Sequence, residues 1–183
     1  MRLFVGLPLA SEVLKELSEA VARLEAPHDG LRWTPPESWH ITLQFLGNTD
    51  EQHFNCVRSR LAEVRALPVR VRLGELGIFE RAGVFFVDVV PTSELIALAQ
   101  LVTEATGRCG FVAEKRPYHP HITLARVKGE RRGGSLKTLQ GRVSHVAGFT
   151  GFTATVFLLY ESHTRPEGAE YEVRDHFALG RTD

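Results

Sequence analysis

Two histidines head identical tetrapeptides in this chain, His40-Ile41-Thr42-Leu43 and His121-Ile122-Thr123-Leu124. On a β-strand alternate side chains share a face, so each copy turns an imidazole and a hydroxyl one way and two apolar side chains the other. Histidine titrates nearest neutral pH, about 6.5. Two imidazoles over one groove could divide acid–base work, a neutral ring taking a proton from a nucleophile and an imidazolium giving one to a leaving oxygen. The hydroxyls of Thr42 and Thr123 could bond oxygens where charge develops, which suits a phosphate or a carbonyl. Arg126, further along the second strand, is expected on the face of His121 and Thr123, where its planar fork suits bidentate phosphate binding.

Other chemistries fit less well. His119 and His121 form an H-x-H pair that could hold zinc together with His40, because three histidines can make a catalytic site. Pro120 stands between them, and no carboxylate or cysteine completes a ligand pattern, so no metal is expected. Neither a G-x-S-x-G elbow nor a nucleotide-binding P-loop occurs. Gly129 to Gly134 reads as a polar basic surface loop whose arginines, Arg131 and Arg132, could meet a polyanion. A plain structural role, with the two histidines filling hydrogen-bond networks in half-buried strands, stays open at this level.

The rest of the chain must position these groups. At 183 residues, 43% hydrophobic and 24% charged, it suits one soluble domain with a sizeable core, residues 1–183. Lys plus Arg equals Asp plus Glu, 22 against 22, so a uniformly basic surface for coating duplexes is excluded while a local basic cleft is not. Cys56 and Cys109 form no CxxC and read as buried free thiols in a reducing compartment. Gly6 and Pro8 break the apolar N-terminus, which reads as a strand and not a signal peptide. No apolar run approaches the roughly 20 residues needed to span a bilayer. A cytoplasmic, non-membrane monomer without cofactor is expected.

Periodicity places a strand over Arg2 to Leu7 and a helix from Ser11, as cap, to about Ala26. The first motif strand runs from Trp39 to Leu46 and ends at Gly47-Asn48. A second helix is capped by Asp50, with Phe54, Val57, Leu61 and Val64 along one stripe. Two strands, Val69 to Phe79 and Val84 to Val90, flank the turn Glu80 to Gly83. A third helix opens at Pro91-Thr92 and runs to about Thr106. The second motif strand follows to Val127, then a short helix over Ser135 to Gln140. Strands Phe149 to Glu161 and Tyr171 to Leu179 close the chain around a turn holding Pro166. The order is α+β with two similar halves, and the second motif begins 81 residues after the first. Internal duplication around a pseudo-twofold groove follows, with the two histidines face to face.

The stretches around both motifs resemble the 2H phosphoesterase superfamily, in particular its RNA 2′,3′-cyclic phosphodiesterase group, also called 2′-5′ RNA ligases. The likeness is carried by Arg32-Trp33-Thr34-Pro35-Pro36-Glu37-Ser38-Trp39-His40-Ile41-Thr42-Leu43-Gln44-Phe45-Leu46-Gly47 and by Pro120-His121-Ile122-Thr123-Leu124-Ala125-Arg126. Arg2-Leu3-Phe4-Val5, Leu76-Gly77-Ile78-Phe79, Tyr160-Glu161-Ser162, Gly168 and Tyr171 add to it, so it covers essentially the whole chain. It implies a bilobal fold of two pseudo-symmetric, antiparallel-rich sheets with outer helices and a central active-site cleft. It implies metal-independent hydrolysis of an RNA 2′,3′-cyclic phosphate to a 2′-phosphomonoester, with reverse 2′-5′ ligation as a companion activity. His40 would then be the proton donor and His121 the proton acceptor, with Thr42, Thr123 and Arg126 on the phosphate. His119, before Pro120, is a position this pattern does not fix. For base stacking, Tyr118 and Phe45 are the aromatic candidates, although alternation assigns Phe45 to the core with Ile41 and Leu43. Alternatives are a phosphodiesterase on small cyclic nucleotides such as ADP-ribose cyclic phosphate, and a nucleotide- or RNA-end-binding module without turnover.

Overall fold

A computed structural model of the chain describes residues 1–129, 139, 141, 148–165 and 168–180. The Gly129–Gly134 loop beyond Gly129, the Ser135–Gln140 helix apart from Leu139, and Pro166 lie outside the described residues. Two four-stranded antiparallel sheets and a two-stranded ladder carry the architecture. In the first sheet β10 (Gly168–Ala178), β9 (Val156–Arg165), β1 (Arg2–Pro8) and β3 (His40–Asn48) lie in that order. In the second, β2 (Leu31–Trp33), β7 (His121–Val127), β6 (Val84–Val89) and β5 (Leu73–Phe79) do. The ladder pairs β4 (Val69–Val71) with β8 (Phe152–Ala154).

Three helices among the described residues bury apolar stripes in the core that the sheets share. Helix α1 (Ser11–Leu24) buries Val13, Leu17, Ala20, Val21 and Leu24. Its cap position is Ala10, not Ser11, and no side chain caps it there. Helix α2 (Glu51–Ala62) is capped as expected, the Asp50 carboxylate accepting from the His53 N–H, and α3 (Ser93–Gly107) by the Thr92 hydroxyl accepting from the Leu95 N–H. One continuous apolar core contains Leu3, Val5 and Ile41 of the first sheet and Phe85, Val87 and Ile122 of the second. Among the described residues no helix is long and apolar enough to cross a membrane.

Three expectations change. The runs Val69 to Phe79 and Phe149 to Glu161 are each broken, at Arg72 and at Thr155, where the chain leaves the β4–β8 ladder for a large sheet. At those breaks Arg72 accepts from the Val90 N–H and Thr155 from the Leu179 N–H. Strand propensity cannot mark such a point, because what changes there is the ladder partner. Strand β2 falls between about Ala26 and Trp39, where periodicity places no element. It is set by Asp29, whose carboxylate accepts from the Leu31 N–H and the Trp33 indole at 2.8 Å each. The cysteines, third, are not free. Packing of α2 on α3 brings Cys56 and Cys109, 53 positions apart, to a Cα–Cα distance of 5.9 Å as a disulfide. With it the compartment inferred from free thiols loses its support.

Candidate active site

The two motif strands meet at open sheet edges. Strand β3 is the edge of the first sheet. Strand β2 pairs with Ala125 to Val127 of β7, so among the described residues the His121 end of β7 has no strand partner on that side. The free stretches lie beside one another. A hydroxyl ties them: Tyr118, three residues before His121, donates to the Thr42 carbonyl at 3.0 Å. Burial pushes the Tyr118 phenol up, so it stays a neutral donor. Tyr118 is thereby engaged in positioning β3.

Both imidazoles are held the same way. His40 Nδ1 is 2.8 Å from the Ser38 carbonyl and His121 Nδ1 is 2.8 Å from the His119 carbonyl. A carbonyl only accepts, so each Nδ1 carries the proton and each Nε2 is left for proton transfer. His40 Nε2 lies 3.1 Å from the Thr42 hydroxyl, the partner that strand alternation places beside it. Burial holds the His40 pKa down to about 4, against the pull of the Ser38 carbonyl; nearby His121 and Arg126 lower it further. His121 is lowered too, first by burial, with Asp88 acting the other way. Both shifts favour the neutral ring.

Aromatic side chains wall the two rings. Phe4 lies 4.6 Å from the His40 ring centroid, stacks on Tyr160 at 4.8 Å, and Tyr171 meets His40 edge-on at 5.0 Å. In the other half Phe79 and Phe86 stack at 4.0 Å and present edges to His121 at 5.1 and 5.4 Å. Each wall needs a glycine beneath it. A Cβ on Gly6 would sit 2.9 Å from the Ile41 carbonyl and 3.5 Å from the His40 ring, and one on Gly77 would sit 2.5 Å from the Phe86 ring. His119, left open by the sequence, bonds Asp88 through Nε2 at 2.9 Å and offers its carbonyl to His121.

A matching irregularity in both motif strands decides their faces, keeping Arg126 on the expected side and moving Phe45 from the core. Strict alternation would turn Arg126, three positions past Thr123, away from His121. The register between β6 and β7 slips where Thr123 and Ala125 face successive residues, Phe86 and Phe85, and Leu124 and Ala125 are both buried. This β-bulge returns Arg126 to the cleft side, within electrostatic reach of both histidines. Strand β3 slips at the same place: Thr42 and Gln44 face Gly6 and Val5, and Leu43 and Gln44 are both buried, the Gln44 amide oxygen accepting from the Thr106 hydroxyl at 2.7 Å. Phe45 is thus not core. It is 64% exposed and its ring lies 6.0 Å from Phe4, on the His40 side. Phe45 holds in the first motif the place of Arg126 in the second. Alternation alone could not reveal this, because a bulge is set by the partner strand.

The geometry thus gathers His40, Thr42, His121 and Arg126, keeps Thr123 half-buried on the second motif strand, and uses Tyr118 as a tie. The family model described as LigT like Phosphoesterase matches residues 7–86 and again 87–171. A Bacillus subtilis protein named RNA 2′,3′-cyclic phosphodiesterase is 29% identical over 96% of this chain and 95% of its own. A Thermus thermophilus protein of the same name is 31% identical over 98% of this chain and 90% of its own. The crystal structure of E. coli LigT complexed with 3′-AMP superposes with a TM-score of 0.80 at 24% identity, covering 98% of each chain.

Proposed function

The chain belongs to the LigT-like phosphoesterase family, and from that premise we propose that it hydrolyses the 2′,3′-cyclic phosphate at an RNA end to a 2′-phosphomonoester. The observation that carries the reading is the pair of imidazoles, each with Nδ1 locked on a backbone carbonyl, directed at one cleft that also holds Arg126. His121 Nε2 takes a proton from water as the water oxygen bonds to phosphorus. The P–O3′ bond breaks, and His40 Nε2 gives a proton to O3′. The hydroxyls of Thr42 and Thr123 and the Arg126 guanidinium hold the phosphate oxygens as charge builds on them. Both proton transfers come from side chains, so the reading requires no metal. 2′-5′ ligation follows the same path with the 5′-hydroxyl of a second strand in place of water, its oxygen bonding to phosphorus as His121 Nε2 takes its proton and the P–O3′ bond breaks. One chain supplies both histidines, which supports action as a monomer. The two consecutive family matches and the bulge shared by both motif strands support one bilobal domain, residues 1–183, grown by duplication.

Electrostatics of the cleft residues alone favour the opposite division of labour, since His40, the proposed acid, is held the more firmly neutral. A bound phosphate must supply the negative charge that lifts it. A substrate whose leaving group needs no proton, such as a p-nitrophenyl phosphodiester, separates the two assignments. It should rescue His40→Ala far more than His121→Ala, and the reverse pattern exchanges the roles. On a cyclic-ended oligonucleotide each variant should lose about 10² to 10⁴ in rate. Native turnover should survive EDTA and yield 2′-phosphate ends. A 3′-phosphate product overturns the regiochemistry, and abolition by chelator overturns the metal-free reading.

A further inference from the structure

Arg32 and Arg126 stand directly opposite each other on β2 and β7. Like charges in that register destabilise a sheet unless something neutralises them. Among the described residues Arg58, Arg60, Arg70, Arg116, Arg165 and Arg174 each have a carboxylate partner, whereas Arg2, Arg32 and Arg126 have none, and neither do Arg23, Arg65, Arg72 and Arg108. Arg2, Arg32 and Arg126 are also grouped. Arg32 runs from the second sheet across to the β9–β10 hairpin, where its Cδ and Nε lie 3.8 and 3.9 Å from where a Cβ on Gly168 would stand. Arg2 opens β1 of the first sheet, and all three guanidinium groups lie within electrostatic reach of the Tyr171 hydroxyl. Tyr171 in turn meets the His40 ring edge-on. In a chain of zero formal net charge, three unpaired cations beside one tyrosine form a localised anion site. One of them, Arg126, already belongs to the reacting phosphate.

We propose that Arg2, Arg32 and Tyr171 form a second phosphate subsite, taking the internucleotide phosphate on the 5′ side of the cyclic end. The chain thereby selects ends of polynucleotides over mononucleotides. This rests on the reading of the histidine cleft as a cyclic-phosphate site. A nucleoside 2′,3′-cyclic phosphate has no second phosphate and cannot use Arg2 or Arg32; a dinucleotide with the same terminus can.

The test compares kcat/KM for adenosine 2′,3′-cyclic phosphate with that for an adenosine dinucleotide ending in the cyclic phosphate. The native chain should prefer the dinucleotide, and Arg32→Gln should cut that preference about ten-fold, whereas Arg32→Lys keeps most of it. The control Arg60→Gln, at an exposed pair with Glu63, should leave the preference intact. No native preference, or a preference untouched by Arg32→Gln, overturns the subsite; equal loss on both substrates overturns it too, assigning Arg32 to the reacting phosphate. Should the native chain turn over neither substrate, the proposed reaction fails, and the subsite is judged by binding. Anisotropy of a labelled single-stranded RNA octamer ending in 2′-phosphate should then show about ten-fold weaker binding for Arg32→Gln and a salt slope shallower by about 0.7. Unchanged affinity and slope overturn it.

Discussion

Lowering the pH from 7.5 to 5 should cost the native chain stability that a His40→Gln chain retains. In the unfolded chain the His40 ring titrates near its ordinary 6.5, but in the fold, buried among Phe4, Tyr160 and Tyr171, it takes a proton only near pH 4. A depressed folded value means that the stability tied to the neutral ring is complete above pH 6.5 and is lost as pH falls from there through 4. At pH 5 the unfolded ring is charged and the folded ring is not, and linkage gives a loss of about 2 kcal/mol relative to pH 7.5. Urea titrations at the two pH values report it as a midpoint shift of roughly 1 M, for slopes typical of a chain this size. His121, lowered in the same direction, is present in both chains and cancels in the comparison. Saturating inorganic phosphate at pH 5 should return part of the loss, because an anion in the cleft favours the charged imidazole. Equal losses in the native and His40→Gln chains would refute burial of a neutral His40, and with it the need for substrate charge to make this ring an acid.

Gly77→Ala places a methyl group 2.5 Å from the Phe86 ring; overpacking should cost about 1–3 kcal/mol by thermal melting and lower kcat, because the displaced ring is the wall of His121. Tyr118→Phe removes the one hydroxyl that ties the lead-in of β7 to the Thr42 carbonyl. It should lower stability by about 0.5–1.5 kcal/mol and reduce kcat more than it raises KM, whereas an effect on KM alone would make Tyr118 a binding residue after all. Reducing the Cys56–Cys109 bridge frees a loop of 53 positions, which in the chain-entropy account removes about 4 kcal/mol. That should lower the melting temperature by roughly 10 °C in a chain of this length; an unchanged temperature with both thiols shown free by alkylation argues against the bridge.

Local signals in the chain located the chemistry. The two His-Ile-Thr-Leu copies name both imidazoles, and alternation over so short a span pairs His40 with Thr42 as the structure does. Asp50 and Thr92 cap the helices they precede, and the Glu80 to Gly83 turn joins the strands it was read to join. These are contacts within a few residues, whose energetics depend little on the rest of the molecule. Alternation fails further along each motif strand, which moves Phe45 out of the core while Arg126 stays on the face expected of it. Phe45 and Arg126 both lie past a bulge, and a bulge exists only against a partner strand whose register is set elsewhere. The breaks at Arg72 and Thr155, the strand Leu31–Trp33 and the Cys56–Cys109 bridge are of the same kind, products of which element lies alongside which.

What the sequence determined by itself is therefore the pair of histidine-headed motifs and the secondary elements that carry them, since residue type and short-range spacing decide both. Tertiary structure decided the rest. It set two open strand edges side by side, tied them through Tyr118, and buried His40 until its ordinary titration was displaced to about pH 4. It also put Arg32 against Arg126 across a strand pair. The reason is physical: burial, register and electrostatic neighbourhood are sums over residues far apart in the chain, and only packing brings those terms together.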